Sequence, residues 1–365
     1  MKRNLLIFLP LIAALAGCGR TNSNQPFDNL ERVVSFPFER SLENAVRVDT
    51  DIIGMIDMEV RRDSLMFIAT QDPGGYVSVI DLRSGKKSRP FFKNGNGPGE
   101  LLFPPYFSNT DFVGKDGRDE IYVNDFKGNL LRWRLDDVFT RDTPEIDILE
   151  NAIPTQLFYA LWVNDSTFLC RDINEDQSGQ NRFLFTNGNR YVTESMEKLN
   201  AVTIPLKNDG YLFNILSSIS RYDPARGIVV EASILMNTIN IYSLSGGFEK
   251  TICVGRKPDD PVDILDKGRE QFKKCFEDVN LYENGFGVLY LGVPDYDQDT
   301  AKESVAPRIM FFDWEGRPMA ELTLPRNASA FGIDSRRGIL YAFDSSEEAI
   351  FQYSISGIMD DLGVF

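Results

Sequence analysis

The sequence predicts an all-β fold in which six similar four-stranded sheets are arranged around an axis. Short strand-like runs separated by polar turns repeat along the chain after residue 30. The last copy has three such runs, at residues 330–334, 337–344 and 349–353. A lone four-stranded sheet cannot bury both of its faces, so repeats of this length predict a radial array. The anchors of the six copies are separated by steps of 55, 46, 61, 60 and 52 residues: Phe67, Tyr122, Phe168, Val229, Leu289 and Tyr341.

The two ends of the repeat region predict how the ring closes. The last copy lacks a fourth run, whereas the run at residues 32–38 belongs to no copy of its own. If this amino-terminal run completes the last sheet, both loose edges are paired. The prediction is therefore a six-bladed β-propeller with four-stranded blades, spanning residues 31–365 and closed by an N-terminal strand.

One segment departs from the β pattern. The stretch that follows residue 259 is charged, and its apolar residues fall near one helical face. This pattern predicts a short helix in the crossing before the fifth blade, covering one side of the axial opening. The apolar residues concerned are Ile264, Leu265, Phe272, Cys275 and Phe276.

The composition excludes several classes of function. The 365 residues include 39 Lys and Arg, 54 Asp and Glu and no histidine, for a net charge of −15. Without imidazole there is no Ser-His-Asp or Cys-His catalysis and no histidine-ligated zinc, copper or haem. The acidic balance argues against nucleic acid as a partner, because binding a phosphate backbone needs a basic surface.

Residues 1–17 are typical of a secretory signal, with a basic start and an apolar run too short to span a bilayer stably. The run ends in Leu15-Ala16-Gly17-Cys18, which resembles the bacterial lipobox. The resemblance implies that Cys18 becomes the first mature residue and carries a lipid, with residues 18–30 as a flexible tether. The alternative is an ordinary cleaved signal with a chance cysteine.

The lipobox implies a place in the outer membrane or cell envelope, with the lipid anchor as the contact with the membrane. In Bacteroidetes-type lipoproteins, acidic residues soon after the cysteine signal export to the surface. The first acidic residue here is Asp28, so the periplasmic side is favoured over the cell surface.

Three further cysteines lie in apolar or amphipathic stretches: Cys170, Cys253 and Cys275. We expect them to be small buried hydrophobic residues. One disulfide is the alternative, although an odd count with wide spacing does not favour a disulfide framework.

The repeat resembles NHL-type and TolB-like blades, and the mature chain is similar to the six-bladed β-propeller lipoproteins of Bacteroidetes. The stretch Gly95-Asn96-Gly97-Pro98-Gly99-Glu100 is also similar to that family. It lacks the Gly-Lys-Ser/Thr ending of a phosphate loop, so its glycines are interpreted as conformational. The resemblance implies the fold and the location rather than an activity.

In a propeller, the hairpins between second and third strands share one face with the crossings between blades. In this sequence the hairpins are acidic and the crossings are rich in aromatic residues. Most of the aromatic residues are expected in the core, and the acids at solvated tips or as caps of their own turns. Any ligand is predicted to bind this face near the axis, with candidate residues Tyr106, Asp125, Trp162, Tyr211 and Asp344.

No cofactor is expected from the sequence, and calcium is the one weak alternative. Asp295, Asp297 and Asp299 alternate as in a calcium loop, but Thr300 replaces the turn glycine and Ala306 the bidentate glutamate. An EF-hand is therefore excluded, and a looser calcium site is left open.

Two classes of function fit these observations. The favoured one is a lipid-anchored binding or scaffold module for a glycan, peptide, small molecule or partner protein of the envelope. The alternative is a carboxylate-dependent glycosidase or lyase acting at the same face, with a pair such as Asp57 and Asp334 near the channel.

Overall fold

The computed structural model describes residues 25–61, 64–97, 99–107, 111–115, 118–125, 129–136, 138–155, 157–174, 178–204, 215–267, 272–294 and 305–365. It shows a six-bladed β-propeller. The predictions made for Cys18, Tyr211, Asp295, Asp297 and Asp299 lie outside the described residues.

The strands follow one another blade by blade. An amino-terminal segment holds β1 (Leu30–Val33), β2 (Phe38–Ser41) and β3 (Val46–Val48). Blades 1 to 3 comprise β4 (Met55–Arg61), β5 (Leu65–Thr70) and β6 (Val77–Asp81); β7 (Asp111–Lys115), β8 (Arg118–Asn124), β9 (Leu130–Arg134) and β10 (Glu145–Leu149); and β11 (Tyr159–Asn164), β12 (Thr167–Ile173), β13 (Gln180–Thr186) and β14 (Asn189–Tyr191). Blades 4 to 6 comprise β15 (Ser218–Asp223), β16 (Ile228–Ser233), β17 (Thr238–Ser243) and β18 (Glu249–Val254); β19 (Lys273–Leu281), β20 (Gly285–Pro294), β21 (Arg308–Asp313) and β22 (Pro318–Thr323); and β23 (Ala330–Asp334), β24 (Ile339–Asp344) and β25 (Ala349–Ser354).

Short helices lie in the connections. They are α1 (Glu194–Asn200) after blade 3, α2 (Pro261–Lys267) after blade 4, and a 3₁₀ turn (Ser356–Ile358) followed by α3 (Met359–Leu362) at the carboxyl end.

The second strands confirm the repeat, since all six anchor residues lie on β5, β8, β12, β16, β20 and β24. These strands are buried on both faces and therefore read as continuous apolar runs. On β5, Phe67 contributes to the apolar cluster between blades 1 and 2, while Met66 and Ile68 contribute to that between blades 6 and 1. Each blade thus shares one core with each of its two neighbours.

The ring is closed by an N-terminal strand, as predicted, but by different residues. The strand that completes blade 6 is β3, with Val48 opposite Ile350 on β25. The predicted run 32–38 instead lies at the outer edges of blades 4 and 5. Val33 and Phe36 pack there into the apolar cluster between these two blades. There β1 pairs in parallel with β18 and β2 with β22, each as a fifth strand at the outer edge.

The predicted helix before blade 5 is correct only in its first part. Helix α2 ends at Lys267, and Cys275 and Phe276 belong to the first strand of blade 5, β19. The register of β19 against β20 shifts on both sides of Phe276. This irregularity buries two consecutive residues, Cys275 and Phe276, in the same cluster, and the resulting spacing imitates a helical face.

The three cysteines are buried and free, as expected for small hydrophobic residues. Burial raises the pKa of Cys253 to about 11 and that of Cys275 to about 12, so both are protonated thiols at neutral pH.

Candidate functional site

A cavity of about 220 Å³ lies between blades 3 and 4. It opens on the face that carries the hairpin between β16 and β17 and the crossings between blades. Its blade 4 wall is polar, consisting of Ser218, Glu231, Ser233, Thr238, Asn240 and Thr251. Leu199, Val202, Leu216 and Met236 provide the apolar part of the lining. The face is the one that the sequence predicts for ligands, but the cavity lies between two blades.

The blade 3 wall contributes Arg182, whose residue surface is only 6% exposed. Its Nε donates to both carboxylate oxygens of Glu231, at 3.0 and 2.8 Å. Glu231 also accepts from the hydroxyl of Tyr242 at 2.8 Å and from that of Tyr159 at 3.4 Å. Its carboxylate is therefore saturated by protein donors and holds the guanidinium in a fixed orientation.

Both members of this pair are charged. Burial alone raises the pKa of Glu231, but the guanidinium groups of Arg182 and Arg171 lower it below its ordinary value. Burial alone lowers the pKa of Arg182, but the Glu231 carboxylate more than offsets this effect, and the net shift is upward. The cavity wall thus carries a fixed ion pair at neutral pH.

A second arginine lies behind this pair. Arg171 pairs with Arg182 across β12 and β13, and its guanidinium donates to the hydroxyl of Ser218 and, at 2.6 Å, to the carbonyl of Ser218. The guanidinium also lies over the ring of Tyr159, 4.4 Å from its centroid. Burial lowers the pKa of Arg171.

The entrance is formed by Lys257, Pro258, Asp259 and Asp260 of the crossing to blade 5. This crossing is fastened to the neighbouring hairpin through Asn237. The Asn237 backbone N–H donates to Asp259 at 3.0 Å, and the Asp259 N–H donates to the Asn237 side chain at 2.8 Å. The entrance is therefore held in place by the blade itself.

The amino-terminal segment also reaches the cavity, because Gln25 and Pro26 line it. Phe27 is fully buried, and its ring centroid lies 6.0 Å from that of Tyr242. The expected flexible tether of residues 18–30 is thus packed against blade 4 at least from Phe27 onward. A single phenylalanine among polar residues was the signal for this packing.

Four of the five predicted ligand residues lie in the described part of the chain, and the structure distributes them over different blades and crossings. Asp125 accepts from the backbone and side chain of Asn129, and Asp344 accepts from the backbone of Ser346 and Glu347, so both cap their own turns. Tyr106 is exposed in the crossing from blade 1. Trp162 on β11 is half-buried and stacks on Tyr122, with ring centroids 6.5 Å apart. Ligand binding by these residues stays a prediction.

A second buried charge cluster crosses the axis. Arg221 on blade 4 contacts Glu59 on the opposite blade 1, with 3.3 Å between Nη2 and Oε2, and lies 3.9 Å from Asp278 on blade 5. Arg61 contacts the other oxygen of Glu59 at 2.9 Å. First strands from three blades are thereby linked across the channel.

The carboxyl groups in and beside this cluster have pKa values above their ordinary range. Burial, together with the nearby Asp278 carboxylate, raises the pKa of Asp57 to about 8. Burial raises the pKa of Glu59 to about 7, although Arg61 and Arg221 act in the opposite direction. Burial also raises the pKa of Asp278.

The carboxylate pair suggested for catalysis is separated in the structure. Asp57 lies near the start of β4, where its two oxygens accept from the backbone of Phe107 and Met58. Asp334 is the last residue of β23 and accepts from the backbone of Arg337 in the following turn. The first strands of neighbouring blades run in parallel, so the start of β4 and the end of β23 lie at opposite faces of the propeller. The two carboxylates are therefore directed toward opposite faces.

The glycine-rich stretch has a structural explanation. The Gly97 N–H donates to Glu100 at 2.8 Å, so a protein carboxylate occupies the position that an anion would take in a phosphate loop. Gly99 has a φ of +75°, and a Cβ on Gly95 would lie 2.0 Å from Glu100 Oε2. The conformational interpretation is confirmed.

Comparison with known families identifies the fold family. A family model described as TolB-like 6-blade propeller-like matches residues 56–336. The chain belongs to this TolB-like family. No curated protein matches this TolB-like propeller.

Solved structures similar to this TolB-like propeller are distant from it in sequence. A member of the DUF4221 family from Bacteroides vulgatus is 12% identical, with 86% of this chain and 96% of that chain covered and a TM-score of 0.45. The calcium-binding protein regucalcin from Agrobacterium tumefaciens is 10% identical, with 87% and 95% covered and a TM-score of 0.45. The hydrazine synthase of Kuenenia stuttgartiensis is 11% identical, with 88% and 82% covered and a TM-score of 0.45. At these values they do not indicate what this chain binds.

Within the part of the chain that the structure describes, no helix is long and apolar enough to cross a membrane. The same residues contain no group of three or more acidic or cysteine side chains that could hold a metal ion.

Proposed function

We propose that this TolB-like propeller is a binding module whose ligand, a small polar molecule, occupies the cavity between blades 3 and 4. The observation that carries the proposal is the cavity's wall. In place of interlocking apolar side chains, the two blades present the Arg182–Glu231 ion pair and a row of hydroxyl and amide groups around open space. Polar groups at a buried interface weaken its packing, so their retention favours a site for a ligand.

The size of the cavity limits the ligand. Sites for drug-sized molecules have volumes of roughly 300–1,000 Å³, and this cavity is smaller, at about 220 Å³. A molecule the size of an amino acid or a monosaccharide fits such a space. Among the ligand classes that the sequence leaves open, small molecules and the end of a peptide or glycan are therefore favoured over a folded partner.

Binding is preferred to catalysis for a structural reason. Asp57 directs its carboxylate oxygens at two backbone N–H groups, and Asp334 lies in a turn toward the other face. Neither residue lines the cavity. The carboxylate-pair chemistry of most glycosidases needs two carboxylates that flank the same bond.

The proposal includes an anchor in the cell envelope through a lipid on Cys18, with the periplasmic side favoured. Cys18 precedes the cavity-lining Gln25 by seven residues. Seven residues span at most about 25 Å when fully extended. A lipid on Cys18 would therefore keep the cavity close to the membrane surface.

A binding screen with a cavity-filling variant tests the proposal. Purified protein lacking residues 1–17 is screened by thermal shift against amino acids, monosaccharides and short peptides, and hits are measured by calorimetry. Ser233, the last residue of β16, lines the cavity and is nearly buried. We expect Ser233→Leu to weaken the binding of hits at least tenfold.

The matched control is Thr70→Leu, at the equivalent end of the second strand in blade 1, where Thr70 is equally buried. This variant should bind as the wild type does. Hits that bind Ser233→Leu with unchanged affinity would place the site elsewhere and contradict the proposal.

A further inference from the structure

The guanidinium group of Arg182 is only partly used by the protein. All of its hydrogen bonds to described residues come from Nε, and both go to Glu231. The terminal groups Nη1 and Nη2 donate to no described residue, although Arg182 lines the cavity and only 6% of its surface is exposed. A buried arginine that leaves both terminal NH₂ groups, with four N–H donors, unused is costly unless an acceptor binds them.

The position of this side chain is fixed at both ends. At the backbone, Arg182 donates to the Asn200 side chain at 2.8 Å and accepts from it at 3.0 Å, which ties β13 to α1. At the other end, Glu231 holds Nε. The two terminal NH₂ groups, Nη1 and Nη2, therefore point in a set direction and lose little freedom when they bind an acceptor.

We infer that the ligand of this cavity carries a carboxylate, which Nη1 and Nη2 of Arg182 bind side by side. The inference rests on the proposed binding function and specifies its ligand class. The planar fork of two parallel N–H donors matches the two oxygens of a carboxylate, and such charge-assisted pairs are strong when water is excluded.

The local charge favours a singly charged acid. The buried charged side chains at this place are Arg171, Arg182 and Glu231, which carry two positive charges and one negative charge. One carboxylate brings the sum to zero, whereas a phosphate monoester would leave excess negative charge in a buried site.

A neighbouring amide supports the assignment of a ligand to this place. Gln180 precedes Arg182 by two residues on β13, so both side chains project from the same face of the sheet. Gln180 is 1% exposed, and neither its amide oxygen nor its nitrogen has a hydrogen-bond partner within the described chain. Gln180 does not itself line the cavity, but its unsatisfied amide shows that this part of the interface between the blades is not completed by the protein's own hydrogen bonds.

The test compares acids with their own amides. N-acetylglycine, D-glucuronate and benzoate are each paired with the corresponding primary amide and titrated by calorimetry in low-chloride buffer. We expect at least one acid to bind at least tenfold more tightly than its amide. Arg182→Lys, which keeps the charge but loses the fork, should remove at least tenfold of that affinity, whereas Arg190→Lys, an exposed arginine on the same blade, should not.

Wild-type protein supplies a second measurement that does not depend on a variant folding. In ¹⁵N-arginine spectra of the wild type, the acid should shift arginine Nη resonances, and the amide should not. If acid and amide bind equally, or if Arg182→Lys keeps the preference, the carboxylate inference is wrong. The proposed function still stands in that case if Ser233→Leu abolishes the binding, and falls with the inference if Ser233→Leu leaves it unchanged. An absence of binding by every acid at 10 mM also overturns the inference.

Discussion

The ion pair across the axis gives a prediction about stability that depends on pH. Arg221→Met removes the cation that faces Glu59 and Asp278, both of which are nearly fully buried. Removing one partner of a buried pair costs about 3–5 kcal/mol, because the other charge is left without compensation. Arg61 still contacts Glu59, so we expect the lower end, about 3 kcal/mol, at pH 8.

The cost should shrink at lower pH. The native pKa of Glu59 is about 7, against an ordinary value of 4.5, so this carboxyl is mostly protonated at pH 5.5. A neutral carboxyl needs no cation, and what remains is about 1 kcal/mol for a lost hydrogen bond. Because of these upward shifts, Asp57, Glu59 and Asp278 bind more protons in the folded wild type than in the unfolded chain between pH 4 and 8. The stability that these three groups contribute should therefore fall as the pH rises through this range.

Urea unfolding followed by far-ultraviolet circular dichroism at pH 5.5 and 8 measures both effects. The matched control is Arg226→Met, which breaks a partly exposed ion pair with Asp223 on the same blade and should cost less than about 1 kcal/mol at either pH. Adding Glu59→Gln to Arg221→Met should recover part of the loss at pH 8. The reasoning is refuted if Arg221→Met costs no more than Arg226→Met at pH 8, or if its cost is the same at both pH values.

Three further predictions follow from the fold and the amino-terminal segment. Deletion of residues 46–48 should expose the edge of the last blade and lower the melting temperature or cause aggregation, as measured by scanning fluorimetry and gel filtration. A deletion variant as stable as the wild type would show that this strand does not secure the ring. Gly332→Ala should cost about 1–3 kcal/mol in urea unfolding, because its Cβ would lie 2.6 Å from Val60 Cβ, whereas Gly357→Ala meets nothing within 4 Å and serves as its control. Cys18→Ala should move the protein from the membrane fraction to the soluble fraction, and retention at the wild-type level would contradict the lipobox prediction.

The repeat could be predicted from the sequence because second strands are buried on both faces. Their apolar runs persist as a pattern whatever the sequence of the loops, and all six anchor residues chosen from these runs lie on second strands. The closing strand could not be predicted in the same way. β3 has only three residues, two of them exposed, and it is defined by its pairing with β25 rather than by its own composition.

The cavity was missed for a different reason. Glu231 and Arg182 are 49 residues apart and belong to different blades. The sequence around either residue does not indicate with which residue it pairs. A signal was nevertheless present, because Glu231 interrupts the apolar run of β16, and Arg171 and Arg182 interrupt those of β12 and β13. Charged residues are almost never fully buried unless they are paired, so three of them inside strands predicted to be buried indicated a polar interface.

The polarity of blade 4 changes along the length of its strands, and this change explains how an opening can exist without separating the blades. On the side of β16 that faces blade 3, Val229 is followed by Glu231 and then by Ser233 at the hairpin. The apolar end, with Val229 and Tyr242, packs against blade 3 together with Phe27. The opposite side of the same strand is apolar throughout, with Val230 and Ala232 in the cluster shared with blade 5. Apolar residues at the polar end would make the protein more stable. The polar residues are confined to one side and one end of the strand, and this confinement favours selection for a ligand over tolerance of a defect.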